Sequence, residues 1–357
     1  TRTGRRMTLK AGFDANYTRT RSLSEENFLG SFTFSDLESY RAGAPLTYRV
    51  TRGDPLIRNS QLEMSSFVEN DLKLSQRLTM MFGVRYDRQT NLKDHNNAAP
   101  RLGFAYAADR SLVIRGGVGV YYQRLADFMV ETPRRLDGSR QYEIVISDPS
   151  YPDPFQSGTA SIIPPWSVRV TDPRLVAPYE IISSVSLERT FRSNLFASVK
   201  YEFRRGVHLF RSRDLNAPLP GQTEPPDPDR GNVLSLASTG MSRSQVLSAS
   251  VRRRFSIFNV NANYSFYSTY KDNDGFFSTP SNNYDLRSDW GRTSQPRHQV
   301  SSVVNAKLWM GVFLAGTMSA NSRSAYNITT RMDGNSDTNT NDRPPGVPRN
   351  SGDGPRF

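Results

Sequence analysis

The sequence predicts an all-β protein, and specifically an antiparallel transmembrane β-barrel with long extracellular loops and short periplasmic turns. Two observations support this prediction. Apolar and polar residues alternate with a period of two in many separate segments, which gives a strand one apolar and one polar face. The connections between these segments are alternately short and long. No stretch of about 20 apolar residues is present, but a transmembrane strand needs only about 9–11 residues with one apolar face.

The predicted strands follow one another along most of the chain. The first covers residues 6–18, where Met7, Leu9, Ala11, Phe13, Ala15 and Tyr17 alternate with polar residues and glycine. Equally clear alternation occurs at 77–88, 195–204 and 258–267. Weaker copies lie at 60–74, 98–107, 110–122, 180–190, 244–255, 296–309 and 311–321. The pattern therefore predicts eleven strands and no helix longer than two turns.

The connections favour a membrane barrel over a soluble sandwich. Short turns are predicted near 75–76, 108–109, 191–193, 256 and 310. Long polar segments lie at 19–59, 89–97, 123–179, 205–243, 269–295 and 322–357. Outer-membrane barrels sort their connections in this way, with tight turns on the periplasmic side and long loops outside. A compact soluble domain rarely contains several structureless loops longer than about 12–15 residues.

The strand number suggests an incomplete barrel. Bacterial single-chain barrels have even strand numbers, and a closed barrel has no free edge. Eleven strands followed by a loop segment do not meet either condition. We therefore expect residues 1–357 to be one partial barrel domain, with the signal peptide and the closing strands outside this sequence.

Composition excludes several classes of function. The chain of 357 residues has no cysteine and 3 histidines, which excludes thiol catalysis and leaves little room for a histidine metal centre. The net charge of +12 first suggests nucleic acid or a membrane surface as partner. The arginines are dispersed, however, without a basic helix or a repeated aromatic platform, so we expect no nucleic-acid partner. Arg85, Arg101, Arg115 and Arg204 are predicted on the polar faces of strands, where a cationic lumen would favour anionic solutes.

Several segments resemble the barrel of TonB-dependent outer-membrane receptors, in particular the Oar-like group with its carboxypeptidase-regulatory-like domain. The resemblance extends over about residues 6–357, and single motifs are weak, but their order and spacing are fairly specific. The matching segments are Phe67–Leu74, Leu78–Met80 with Gly83–Asp87, Asn97–Gly103, Arg115–Tyr122, Tyr284–Leu286 with Asp289–Gly291, Arg297–His298, Tyr326–Thr330 and Asp342–Asn350.

The resemblance implies a barrel of 22 strands, of which this chain would supply about half, and an N-terminal plug domain that this sequence does not show. It also implies TonB-energised binding and uptake of a small-molecule, peptide or oligosaccharide ligand in the outer membrane of a Gram-negative type bacterium. The partners would be the membrane lipid and the TonB complex, the latter through the missing N-terminal region. Two alternatives stay open: a structural or adhesive surface barrel that transports nothing, and a secreted β-rich enzyme or adhesin.

The longest predicted loop, 123–179, is the best candidate for ligand contact. Its aromatic residues Tyr142, Tyr151, Phe155 and Trp166 would stack on a ligand, or pack the loop itself. Aromatic residues near the predicted strand ends are typical of the girdles at bilayer interfaces. They are Tyr17, Tyr86, Tyr121, Tyr122, Phe203, Phe266, Tyr267 and Trp309.

One acidic segment suggests a structural Ca²⁺ site, the sole cofactor considered. Asp333, Asn335 and Asp337 match the first three ligand positions of an EF-hand-type loop, and Asp342 is a further oxygen ligand nearby. The match then fails, since Thr338 stands where glycine is expected and Pro344 where glutamate is expected. The alternative is a polar loop whose Asn and Asp residues form turns.

No catalytic group of residues is found, so we expect a protein that is not an enzyme. There is no Gly-x-Ser-x-Gly nucleophile elbow. The glycine-rich segment 116–119 lies inside a predicted strand, where a phosphate-binding loop does not occur. The acidic residues Asp272, Asp274, Asp285 and Asp289 are expected in a solvated loop.

Overall fold

The structure is a computed structural model, and it describes residues 1–4, 6–156, 166–192 and 194–354. Within these residues the chain forms nineteen strands. In chain order they are β1 Arg2–Thr3, β2 Met7–Leu23, β3 Ser31–Thr33, β4 Thr47–Gly53, β5 Leu56–Lys73, β6 Leu78–Gln89, β7 Ala98–Ala107, β8 Leu112–Tyr122, β9 Gln141–Ser147, β10 Trp166–Thr171, β11 Tyr179–Phe191, β12 Leu195–Asp214, β13 Val233–Arg254, β14 Phe258–Lys271, β15 Gly291–Arg292, β16 His298–Lys307, β17 Phe313–Asn321, β18 Ala325–Tyr326 and β19 Gly352–Asp353.

Eleven of these strands form a large antiparallel meander, which confirms the predicted all-β fold. The order across the sheet is β2, β5, β6, β7, β8, β11, β12, β13, β14, β16 and β17. These are the eleven strands that the period-two pattern predicted. The short connections all lie at one end of the sheet, and the long ones at the other.

The register of the meander gives it one apolar face. A row of directly paired residues crosses nine strands without a polar side chain other than the tyrosine hydroxyls. The row is Leu78, Tyr106, Ile114, Leu187, Val199, Ala249, Tyr264, Val300 and Ala320. Many large side chains on this face are exposed, such as Phe13 at 69% and Val199 at 48%. An apolar face exposed to this extent is typical of a surface that contacts lipid.

The meander does not close on itself within the described residues. β17 pairs with β16 alone, and β2 pairs with β5 along its length and only briefly with the two residues of β1. The eleven-strand sheet therefore has two free edges within these residues.

The long connections carry structure that the sequence analysis missed. β3, β4 and β9 form a small antiparallel sheet, which β10 extends and joins to β13. We call β3, β4, β9 and β10 the loop sheet. Its strands come from the loops 24–55 and 123–178, so these two loops are held together by hydrogen bonds.

Two helices also lie in the loops. Helix α1, Leu37–Ala42, begins with Asp36, whose side chain accepts a hydrogen bond from the Ser39 amide at 2.8 Å and so caps the helix. Helix α2, Asp127–Arg135, has nine residues. At 3.6 residues per turn it exceeds the predicted maximum of two turns, so that prediction was wrong. One-turn 3₁₀ helices occur at Leu286–Asp289 and Trp309–Gly311.

An apolar core lies where the loops meet the long-loop end of the sheet. It comprises Leu92, Leu125, Val130, Leu175, Ala177, Phe210, Leu236 and Phe276. These residues come from three separate connections and from the extended ends of β12 and β13. Burial of each such side chain contributes on the order of 1.5–3 kcal/mol, so the core fixes the loops on the sheet. No helix among the described residues is long and apolar enough to cross a membrane.

Candidate ligand-binding site

The polar face of the meander carries a network of ion pairs. All four arginines that were predicted on polar strand faces lie here, and each has a carboxylate partner. The pairs are Arg85–Asp87 at 2.8 Å, Arg101–Glu69 at 3.8 Å, Arg115–Glu188 at 3.3 Å and Arg204–Glu202 at 2.5 Å. This face therefore has mixed charge, and these arginines do not form the uncompensated cationic surface that the sequence suggested.

Glycines leave part of the polar face without side chains. The register places four glycines at positions that face this side of the sheet: Gly83, Gly103, Gly117 and Gly119. A Cβ atom at Gly83 would lie 2.8 Å from the Val68 carbonyl oxygen, and one at Gly117 would lie 3.0 Å from the Leu102 carbonyl oxygen. Close approach of the neighbouring strand thus favours glycine at Gly83 and Gly117.

A cavity of about 590 Å³ opens at the long-loop end of this face. We call its principal polar and aromatic lining the lumen site, which consists of Glu63, Arg85, Asp87, Gln89, Arg101, Tyr121 and Arg124. A cavity of this size lies within the usual range for small-molecule sites. The lining includes carboxylates, guanidinium groups, an amide and a phenol, so it offers both donors and acceptors to a polar ligand.

The start of loop 123–178 folds over the lumen site. The Leu125 amide donates to Gln89 Oε1 at 2.8 Å, and Gln61 Nε2 donates to the Leu125 carbonyl at 3.1 Å. Arg124 Nη1 lies 3.0 Å from Glu63 Oε2. Leu125 is 2% exposed, so the segment is held by burial as well as by these bonds.

A second cavity of about 690 Å³ continues along the polar face. Lys10, Glu69, Arg115 and Lys200 contribute to its walls. Arg101 and Tyr121 line both cavities, and the Arg101 guanidinium lies 4.6 Å from the centre of the Tyr121 ring. The arginine–tyrosine pair therefore stands between the two compartments.

The four loop aromatics predicted to contact ligand lie in two groups. Tyr142 and Trp166 stack across β9 and β10, with ring centroids 4.3 Å apart. Tyr151 lies 5.2 Å from Phe32, and Phe155 lies 5.9 Å from Tyr48, so both pack against the loop sheet. Tyr151, Phe155 and Trp166 are each about half exposed. Their role in ligand contact stays a prediction, and residues 157–165 of the same loop lie outside the described residues.

The acidic segment 333–342 is a compact turn. The carboxylate of Asp333 accepts the amides of Asp337 and Thr338 at 3.0 and 2.7 Å, and Asp342 accepts the Gly334 amide at 2.7 Å. Asn335 Oδ1 accepts the Asp337 amide at 3.1 Å. In the described residues no group of three or more His, Cys, Asp or Glu side chains is placed to hold a metal ion. The Ca²⁺ site stays a prediction, which calorimetric titration of the intact protein with calcium would test.

Asp337 has the most strongly raised pKa among the carboxyl groups of the described loops. It is 2% exposed, and this burial raises its pKa to about 7, with smaller contributions from the charges of Asp333 and Asp342. Asn283 Nδ2 donates to its Oδ2 at 3.1 Å, and the Asn339 amide donates to its Oδ1 at 2.9 Å. The bond from Asn283 joins the segment to loop 272–297.

Buried arginine–aspartate pairs were not foreseen. Asp272 and Asp289 were expected in a solvated loop, and this was wrong, since each is 5% exposed. Asp272 lies 2.7 Å from the buried Arg211, and Asp289 lies 2.7 Å from Arg343. A buried carboxylate needs such a partner because desolvation of a lone charge is costly. The partners are distant in sequence, so no local pattern could indicate them.

Two girdle predictions also need correction. Tyr121 and Tyr267 pair with Glu180 and Val246, which places them on the polar face and away from lipid. Tyr17, Tyr86, Tyr122, Phe203 and Phe266 do lie on the apolar face. The side chain of Trp309 lies outside the described part of the chain.

A meander with one apolar and one polar face, tight turns at one end and long loops at the other defines a membrane-spanning β-barrel protein. The sequence matches the family described as outer membrane beta barrel domain over residues 1–98 and 88–353. The chain belongs to this family, and its location is the outer membrane.

Solved structures with a similar fold are outer-membrane proteins. The outer membrane transporter YddB from Escherichia coli superposes with a TM-score of 0.61 at 13% identity, over 92% of this chain and 41% of that one. The FrpB iron transporter from Neisseria meningitidis gives 0.53 at 10% identity, over 91% and 42%. The siderophore receptor PirA from Acinetobacter baumannii gives 0.55 at 11% identity, over 89% and 40%. The chain thus spans about two fifths of their length. A comparison with curated proteins gave no match.

Proposed function

We propose that the intact protein is a TonB-dependent receptor, of the Oar-like group, that binds a ligand at its outer end and takes it up across the outer membrane. The observation that carries the proposal is the lumen site, a cavity of about 590 Å³ on the polar face, directly beneath the fold of loop 123–178. A ligand captured by the loops would pass next to the polar face, where the Arg101–Tyr121 pair separates the first cavity from the second.

The ligand class follows from the lining. Mixed charge, an amide and a phenol suit a polar small molecule, a short peptide or an oligosaccharide, and the exposed loop aromatics suit a ring or a sugar face. In this proposal Tyr142, Tyr151, Phe155 and Trp166 make the first contacts. Energy would come from the TonB complex, which would contact a region outside residues 1–357.

Growth and uptake assays test the proposal. Cells that express the intact protein would be supplied with an iron chelate, a short peptide or an oligosaccharide as the limiting nutrient. Uptake of one class is expected, and it should be lost on removal of TonB. The R101A/Y121A variant should impair uptake, whereas R230Q, which changes an exposed ion pair with Asp227 in loop 215–232, should not. Uptake that persists without TonB would contradict the proposal.

A non-transporting structural or adhesive surface barrel is the second candidate. The half-exposed aromatic groups of the loop sheet favour it, because they offer a contact surface that needs no passage through the lumen. Cell adhesion that depends on Tyr151 and Phe155, with no uptake of any ligand class, would support this second function.

A further inference from the structure

Charges in the membrane part of the meander are sorted by sign and by face. This part excludes the ends of β12 and β13 beyond Gly206 and Ser242, where the register shifts. Its carboxylates are Asp14, Glu63, Glu69, Asp71, Asp87, Glu180, Glu188 and Glu202. The pairing register places all eight on the polar face. The apolar face of these strands therefore carries no negative charge of its own.

Arginines do occur on the apolar face, beyond the end of the apolar band on the long-loop side. We call six of them the arginine rim: Arg19, Arg21, Arg58, Arg88, Arg205 and Arg243. Each is exposed, and none has an ion-pair partner among the residues that the structure describes. The Arg243 guanidinium lies 5.7 Å from the centre of the Phe203 ring, so this side chain extends along the outer face.

The rim contains two like-charge pairs. Arg205 stands directly opposite Arg243, and Arg21 directly opposite Arg58, on neighbouring strands. Like charges in this position destabilise a sheet unless an anion lies between them. The first pair continues across the sheet into Tyr270 and then Arg292. A row with three arginines and a phenol therefore faces outward, and no carboxylate of the described residues forms an ion pair with it.

The rim lies at the level where lipid headgroups begin. Arg19, Arg88 and Arg205 each follow an outward-facing aromatic residue by two positions, namely Tyr17, Tyr86 and Phe203. Two residues of strand span about 7 Å. Because aromatic residues mark the interface of the hydrocarbon layer, guanidinium groups this far beyond them reach the headgroups.

We propose that the arginine rim binds the phosphate groups of a phosphorylated lipid in the outer leaflet. The Arg205–Arg243 pair, with Tyr270 and Arg292, forms one phosphate site, and the Arg21–Arg58 pair forms a second. The planar guanidinium group donates two parallel hydrogen bonds to phosphate oxygens, and a bound phosphate removes the repulsion within each pair. The lipid would then anchor the long-loop end of the barrel at a fixed height. This inference rests on the location in the outer membrane and does not depend on transport.

Lipid titration of the intact, detergent-solubilised protein tests the proposal, with native mass spectrometry to count bound lipids. The probe is bisphosphorylated lipid A, compared with the same lipid after removal of its phosphates. The unmodified protein should retain the phosphorylated form and lose the other. A basic residue near an anionic surface contributes about 1 kcal/mol, so the R205Q/R243Q variant should bind lipid A roughly 30-fold more weakly.

The matched control is R252Q/R254Q, which makes the same charge change on β13, the strand that carries Arg243. Both residues lie on the polar face at the short-turn end, about 30 and 36 Å along β13 from Arg243 and well beyond the screening length. This control should bind lipid A as the unmodified protein does. The R21Q/R58Q variant should weaken binding independently, so the proposal does not depend on one variant folding. Equal weakening in the control, or equal retention of the dephosphorylated lipid, would overturn it.

Discussion

At the scale of single residues, local alternation identified the face of most strand side chains but not their partners. Arg85, Arg101, Arg115 and Arg204 lie on the polar face as predicted, because a period of two fixes the face once a strand is recognised. Their carboxylate partners, and the burial of Asp272 and Asp289, depend on residues brought together by the fold. The four loop aromatics could be named from the sequence, but not their division into two groups.

Asp337 should make the stability of segment 333–342 dependent on pH. Its pKa of about 7 in the fold exceeds the value of 3.8 expected when unfolded, so the folded state retains a proton between these pH values. Stability should be highest below about pH 4, decrease by about 1.4 kcal/mol per pH unit as pH rises, and level off above pH 7. Hydrogen-exchange protection of residues 337–339 in the intact protein measures this.

The D337N variant should lose most of this pH dependence, since its amide does not ionise, and Asp342, whose pKa burial also raises, should leave a smaller dependence of the same sign. D54N provides a matched charge change at an exposed loop position and should leave the dependence unchanged. A protection profile in D337N that falls between pH 4 and 7 as steeply as in the unmodified protein would assign the effect to another group.

The buried pair Arg211–Asp272 should contribute far more to stability than an exposed pair. Arg211 is 1% exposed, and Asp272 Oδ1 also accepts the Met241 amide at 2.7 Å. R211Q leaves a buried carboxylate without its cation and should cost about 3–5 kcal/mol in the free energy of unfolding. K10Q removes the exposed pair with Asp71, at 3.3 Å, and should cost about 0–1 kcal/mol. Urea unfolding of the intact protein measures both, and equal costs would refute the prediction.

At the scale of elements, the eleven barrel strands were predictable and the loop elements were not. The barrel strands have one lipid-facing side, so their alternation is regular. The loop sheet and α2 have neither a constant environment nor a repeated pattern. β4 and β9 also pair across more than ninety residues of sequence, as Tyr48 does with Ile146. β12 extends to Asp214 and β13 starts at Val233. Both strands therefore continue beyond their predicted ends, because they leave the membrane and continue into the loops.

Gly53 should be essential for the pairing of β4 with β9. Its φ of 114° favours glycine, and a Cβ atom there would lie 2.0 Å from the Arg140 carbonyl oxygen. G53A should therefore cost more than the 1–3 kcal/mol of backbone strain alone and expose the β4 and β9 amides to hydrogen exchange. Gly221 also has a positive φ, of 82°, but a Cβ atom there would have no neighbour within 4 Å. G221A therefore measures the backbone strain without the steric clash. Unchanged exchange in G53A would disprove this role.

At the scale of the whole molecule, the open meander limits what residues 1–357 can do alone. Both β2 and β17 present an unpaired edge in the described structure, and the apolar face is exposed between them. Unpaired backbone groups cannot be satisfied inside a bilayer, and exposed edges pair with other chains.

We therefore expect that residues 1–357, produced without any further strands, aggregate or remain unfolded in detergent. Sedimentation velocity and circular dichroism measure the outcome. Addition of strands that pair with the free edges of β2 and β17 should restore a single species. A monodisperse, β-rich product from residues 1–357 alone would contradict the expectation.

The loop sheet has a mechanical consequence. Because β4 and β9 belong to different loops and exchange backbone hydrogen bonds over seven residue pairs, neither loop can swing outward by itself. β10 ties the same unit to the end of β13. Opening of the entrance between the long loops must either move β4, β9 and β10 together or break several hydrogen bonds at once. The entrance should therefore move as one unit, with any bending confined to the segments that connect the loop sheet to the barrel strands.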